Sequence, residues 1–221
     1  MMITGTTITW DQLWEALYES VLMVSISLFI GALIGIPIGI LLVVTRPGGI
    51  LENKWLYSIL NPIINIVRSL PFIILLIAII PLTRLIVHTS IGTSAAIVPL
   101  IIYIAPYIGR LVENSLLEVN PGILEAADAM GATPFQVIRY FLLPEAFSSL
   151  ILSLTTAAIG LIGATAMAGA VGGGGIGDLA IAYGYQRFDT LVMLITVVIL
   201  VVFVQGVQSL GNLLSRKARR G

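Results

Sequence analysis

The sequence predicts an all-α integral membrane protein with five transmembrane helices. Three observations predict it. Of 221 residues, 58% are hydrophobic and only 10% are charged, with a mean hydropathy of +1.07; a soluble domain carries roughly 25% charged residues. Apolar runs recur at about the 20 residues that a helix needs to cross a ~30 Å hydrocarbon core. The formal net charge is zero, yet Lys and Arg are spread unevenly between the loops. In lipid each backbone polar group must be satisfied internally, so runs of this length are read as helices.

The elements follow in chain order. The first span, 21–44, carries no charge. The stretch 9–20 before it is short and acidic, with Trp10 and Trp14. It reads as an interfacial helix with its indoles at headgroup depth. The second span, 59–82, contains Arg68, and the third, 92–110, contains Pro99 and Pro106. The fourth covers 147–170 and the fifth 191–210. A polar helix-turn-helix over 120–144 separates spans three and four. Asn120 suits an N-cap with Pro121 in its first turn. Gly131 suits a left-handed helix end. Thr133 can cap a second helix begun by Pro134, and Pro144 is read as its stop or kink. No separate soluble domain and no internal repeat is legible, so residues 1–221 read as one helical membrane domain.

Orientation follows from Lys and Arg. The N-terminal segment has Asp11, Glu15 and Glu19 and no basic residue, whereas the tail has Arg216, Lys217, Arg219 and Arg220. Five spans put these ends on opposite sides, with the N-terminus outside and the C-terminus cytoplasmic. Arg46, Lys54, Arg110 and Arg139 then fall inside, and only Arg84 and Arg187 outside. Met1 to Trp10 lack a basic residue and the first apolar run exceeds a signal-peptide core, so no cleaved leader is expected.

Four features bear on function. In the hairpin, Ile123, Leu124, Ala127 and Met130 share one face at helical spacing, with Glu125 and Asp128 on the other. A slim alanine-rich helix of this kind suits a groove on a soluble partner, or it is an amphipathic connector on the membrane surface. Second, five glycines within 172–177 (Gly172, Gly173, Gly174, Gly175 and Gly177) end span four on the outer side. They read as a flexible linker and not as a P-loop, since no Lys follows. Third, Arg68 precedes an uncharged run, 69–83, that covers only about 22 Å as a helix. It is therefore a site candidate together with Ser69 and Pro71, unless it snorkels to the inner headgroups; Pro71 is expected to kink the helix and expose carbonyls. Fourth, small residues form ridges: Gly31, Gly35 and Gly39 in span one, and Gly160, Ala164, Ala168 and Gly172 in span four. The first ridge reads as internal packing. In span four, the face with Gly163, Thr165, Ala166 and Met167 is a candidate for the translocation path.

The chain has no cysteine, one histidine (His88, read as a plain surface residue) and no intramembrane carboxylate pair. Disulfides, thiolate metal sites, a metal centre and a nucleophile–base enzyme are not expected. An ion-coupled secondary transporter would need acids inside the apolar runs or an inverted repeat, and neither is found. No nucleic-acid partner is suggested.

Glu125-Ala126-Ala127, three residues, Gly131, nine residues, then Phe141-Leu142-Leu143-Pro144 resembles the EAA loop of ABC-importer permeases, with Phe141 where that family usually has Ile. The segments 66–76, 130–134 and 172–188 resemble its methionine-uptake branch, and the likeness runs from about Leu17 to the tail. The resemblance implies a type I importer fold in the inner membrane of a prokaryote. It implies a homodimer, two cytoplasmic ABC ATPase subunits that use ATP and magnesium, and an extracytoplasmic methionine-binding protein. The chain itself would bind no cofactor and catalyse nothing. The same resemblance implies that Glu125, Ala126, Ala127, Asp128 and Gly131 couple to the ATPase, with Leu143 and Pro144 closing the second helix. The implied solute is D- or L-methionine, or another amino acid.

Overall fold

In the computed structural model, residue 3 and residues 5–219 are described, and all regular elements among them are helical. Helix α1 spans Trp10–Thr45 and opens with a capping box, Thr9 against Gln12. The acidic stretch is thus the first turns of span one and not a separate interfacial helix; nothing between Glu19 and Val21 breaks the helical hydrogen bonding. Helix α5 spans Thr93–Leu117 and includes Pro99 and Pro106. Its close partner is α1, because the glycine ridge lets the backbones meet. A Cβ on Gly35 would stand 2.5 Å from the carbonyl oxygen of Ala105, and one on Gly39 2.6 Å from that of Gly109. The first ridge is therefore internal packing.

Span two departs from the kinked helix expected: it is broken. Helix α2, Lys54–Ser69, and helix α3, Phe72–Ala78, meet at an angle of 102°. Leu70 is extended, as a residue before proline tends to be, and Pro71 has no N–H to continue the ladder. A third piece, α4 (Ile80–Val87), follows with Pro81 in its first turn, and His88 ends it at φ 59°. Among the described residues four helices are thus long and apolar enough to span a membrane, or five if the bent pair counts as one.

Helix α6 covers Pro121–Ala129 and α7 Pro134–Gln136. Here too the expectation needs correction. Pro144 does not stop the second helix of the hairpin. A π-helical segment, Val137–Leu142, runs directly into α8, Leu143–Gly169, so that one continuous helix spans Pro134–Gly169. Pro144 lacks an N–H, and its ring would press on the carbonyl four residues back. The wider turn, in which the Leu143 N–H donates to the Ile138 carbonyl, carries the ladder up to the proline. The glycine run leads into α9 (Gly175–Leu179) and a second π segment, Ala180–Tyr185. Helix α10, Thr190–Ala218, closes the chain.

The main core is built from α1, α3, α5, α8 and the hairpin, around Leu100, Ile104, Ile108, Val112, Leu142 and Leu161. Helix α10 has few buried residues and lies at the perimeter. Serines tie it to the bundle: Ser148 and Ser215 hydroxyls lie 2.7 Å apart, and the Arg219 Nε donates to Ser148 at 3.0 Å. At the opposite end Thr7 donates twice to Asp189, which caps α10. The first and last described segments therefore sit at opposite ends of the bundle. Arg220 of the basic tail lies outside the described residues.

Candidate functional site: the hairpin and the bent span

The hairpin protrudes at one end. Asn120 accepts from the Gly122 N–H and Thr133 from the Gln136 N–H, so both helices begin with side-chain caps. Between them Gly131 takes φ 70°, and the Ala132 N–H returns to the Ala127 carbonyl at 3.0 Å. This closes the turn in the left-handed conformation that favours glycine. Ala127 is fully buried, and Ile123 and Leu124 are half-buried against the core. Met130 does not join them: it is 67% exposed, because it lies past the last helical turn and points away with the loop. Glu125, Ala126, Asp128 and Ala129 are exposed, as are Phe135 and Tyr140. Leu143 is half-buried and Pro144 exposed. Together these residues form a projecting acidic rim beside uncovered Met130, Phe135 and Tyr140.

The bent span carries a polar and aromatic ladder. Arg68, exposed in the last turn of α2, places its guanidinium 5.8 Å from the centre of the Tyr107 ring. Tyr107 stacks on Tyr103, which meets Phe72 edge-on at 5.2 Å. The cation is held over an aromatic face. Ser69 bonds back to the Ile66 carbonyl at 2.7 Å, and Pro71 begins α3.

The four residues grouped on span four do not share a face. Gly163 and Met167 lie on the open side of α8, where a Cβ on Gly163 would meet nothing. Thr165 is buried and donates to the Ile162 carbonyl at 2.8 Å. The backbone of Ala166 receives Gly177 of α9. At about 100° per residue, positions 163 and 165 are some 200° apart on the helix, whereas 166 and 167 return to within roughly 60° of 163.

The glycine run is not a loose linker. Gly173, Gly175 and Gly177 are buried, and Gly172, Gly174 and Gly175 have φ near +80° (79°, 77° and 80°). The Gly92 N–H donates to the Gly172 carbonyl at 2.8 Å. The Glu19 carboxylate accepts from the Gly175 N–H at 2.7 Å and from the Thr93 hydroxyl at 2.9 Å. Nothing in a sequence pattern pairs Glu19 with a segment so far along the chain.

Sequence reasoning also missed Arg110. The expected span three ends at Arg110, but α5 runs on to Leu117 and carries the residue into the bundle. Its Nη1 pairs with Glu113 at 2.5 Å, and its Nη2 donates to Asn61 at 2.6 Å and to Asn65 at 2.8 Å, both on α2. Glu113 is only 4% exposed, an acid within the helical core that the apolar runs do not disclose. The spacing of Arg110 and Glu113 at i and i+3 was the available signal.

A membrane bundle with a bent span and a projecting hairpin is the architecture of a type I importer permease. The chain belongs to the family described as "Binding-protein-dependent transport system inner membrane component", whose model matches residues 35–220. Within it, the chain is 52% identical over 178 residues to the "Probable D-methionine transport system permease protein MetI" of Vibrio cholerae, covering 80% of this chain and 79% of that one. It is 55% identical over 130 residues to the "D-methionine transport system permease protein MetI" of Escherichia coli strain K12, covering 59% and 60% respectively. Among solved structures it resembles a chain of "Inward facing conformations of the MetNI methionine ABC transporter". The TM-score is 0.92 at 47% identity, over 96% of this chain and 99% of that one. A second structure, of an amino acid ABC transporter with histidines, matches at TM-score 0.77 and 20% identity and speaks to the fold alone. The expected family and inner-membrane location hold.

Proposed function

We propose that this chain is the membrane-embedded, non-catalytic subunit of an ATP-driven importer for methionine, of D or L configuration. Two copies form the path on a shared axis. Two ABC ATPase subunits grip the two hairpins from the cytoplasm, and an extracytoplasmic binding protein delivers the solute. The glycine-rich end and the N-terminus face outward, and the C-terminus faces the cytoplasm. The charge bias of the loops supports this orientation. The observation that carries the reading is the hairpin: Glu125, Asp128, Met130 and Phe135 project from a turn that Gly131 closes, at the head of a helix continuous to Gly169. Its likeness to a methionine transporter of known structure over 96% of the chain supports the solute and the ATPase partner.

In mechanism the chain supplies rigid bodies and no chemistry. Nucleotide closes the ATPase pair, the hairpins move with it, and the displacement passes up α8 to α5 and the bent span, opening the path alternately to either side. Methionine's thioether suits a path of aliphatic and methionine-lined surface, and Met167 on the open side of α8 is one such group. In this reading Arg68, held 5.8 Å from the centre of the Tyr107 ring, meets the solute carboxylate in passage. The test is uptake of labelled methionine into vesicles holding the complex. Uptake that requires ATP and the ATPase supports the reading. Uptake driven by an ion gradient with the ATPase omitted overturns it in favour of secondary transport.

A further inference from the structure

The Glu19 carboxylate is half-buried in α1, with no basic side chain within ion-pair distance among the described residues. Its oxygens are instead divided between two other elements. Oε2 accepts from the Gly175 N–H at 2.7 Å, and Oε1 accepts from the Thr93 hydroxyl at the start of α5 at 2.9 Å. Its neighbour Ser20 accepts from the Ile176 N–H at 2.9 Å. The fit leaves no room for larger residues: a Cβ on Gly174 would stand 2.6 Å from Glu19 Oε2, and one on Gly175 2.6 Å from Ser20 Oγ. Both glycines also hold positive φ, at 77° and 80°. One carboxylate thus joins α1, α5 and the glycine segment.

We propose that Glu19 is a positioning residue for transport, the latch that makes the glycine-rich end of the bundle move as one block with α1 and α5. This rests on the importer reading above. Without the latch, α9 is free to lag when the hairpin end is driven, and the path leaks motion at its far end. Hydrogen bonds to a charged group are the strong ones, so their loss is large on the local scale. Gln at this position keeps one acceptor for Gly175 and offers an amide donor to Thr93; Ala keeps neither.

The test compares Glu19→Ala with Glu19→Gln in the assembled complex with its ATPase. Hydrogen exchange is followed at the backbone amides of residues 174–179. ATP hydrolysed per methionine imported is measured on the same samples. The latch predicts that Glu19→Ala speeds exchange at 174–179 by about 10- to 100-fold while amides around Ile104 are unchanged. It also predicts that Glu19→Ala raises the ATP consumed per methionine, and that Glu19→Gln restores both toward the wild type. Unchanged exchange in Glu19→Ala overturns the latch, and so does an unchanged ATP-to-methionine ratio, which leaves Glu19 a purely structural tie. Failure of Glu19→Gln to recover either quantity overturns the hydrogen-bond account. If the wild-type complex does not import methionine, the importer reading fails instead, and the exchange measurement still decides whether Glu19 holds the segment.

Discussion

Replacing Arg110 by Met isolates the energetics of the buried polar cluster. Arg110 and Glu113 side chains are 16% and 5% exposed, so their attraction is poorly screened. Removing the guanidinium strands Glu113 in the core and takes a donor from Asn61 and from Asn65. Breaking one partner of a buried pair costs about 3–5 kcal/mol, whereas replacing both by apolar groups is often neutral. At roughly 2–4 °C per kcal/mol for a chain of this size, Arg110→Met lowers the thermal midpoint by about 6–20 °C. Adding Glu113→Leu removes the stranded charge and recovers most of that loss. Glu113→Leu alone costs less than Arg110→Met, because Arg110 keeps Asn61 and Asn65. The assay is thermal unfolding of the purified complex for the wild type, both single variants and the double variant, read as a cycle. A shift below about 2 °C for Arg110→Met refutes the reasoning, as does a double variant whose loss equals the sum of the singles.

Other outcomes follow from the same geometry. Gly131→Val forces a branched residue to φ 70°, a strain of about 1–3 kcal/mol; ATP hydrolysis is expected to persist while uptake falls, checked by measuring both on one preparation. Glu125→Lys reverses the exposed rim and is expected to uncouple hydrolysis from uptake without affecting membrane insertion, checked by cell fractionation alongside transport. Gly35→Leu has no space between α1 and the Ala105 carbonyl and is expected to lower the yield of folded protein through overpacking, about 1–3 kcal/mol or more. Asp189 accepts from the Val192 and Thr7 N–H groups, which hold its carboxyl below the usual range. Its stabilising contribution is therefore present above the ordinary carboxylate pKa and is lost as pH falls through and below that range. Asp189→Asn is expected to flatten the acid limb of a pH–stability curve.

The five apolar stretches, the hairpin and its turn residues were legible because each is local. Asn120, Gly131, Thr133 and Pro134 state their own backbone geometry, and the Gly31, Gly35 and Gly39 ridge states its own close approach. Pro71 was legible as a kink but not as a turn of 102°, since a proline fixes φ and removes a donor without setting where the next helix goes. Arg110 was read as the end of span three and Glu113 was not singled out, because hydropathy drops at these charges, while the helix continues to Leu117 where the charges find partners. Glu19 was read only as one of several acids counted for orientation. Its partners lie on the glycine segment and α5, and no window along the sequence holds both ends of such a bond. Thr165 was grouped with Gly163 by proximity in sequence, against the helical period that separates them.

The uninterrupted helix from Pro134 to Gly169 has 36 residues, a rod of about 54 Å. In the importer reading it acts as a lever that lies beside α5, with Ser149 meeting Glu118 and Ser153 meeting Ser115. A tilt of 5° about its centre swings each tip by roughly 2 Å in opposite directions. On that reading a stroke applied at the hairpin arrives beside the glycine segment undiminished in size and reversed in sense, carried by one helix.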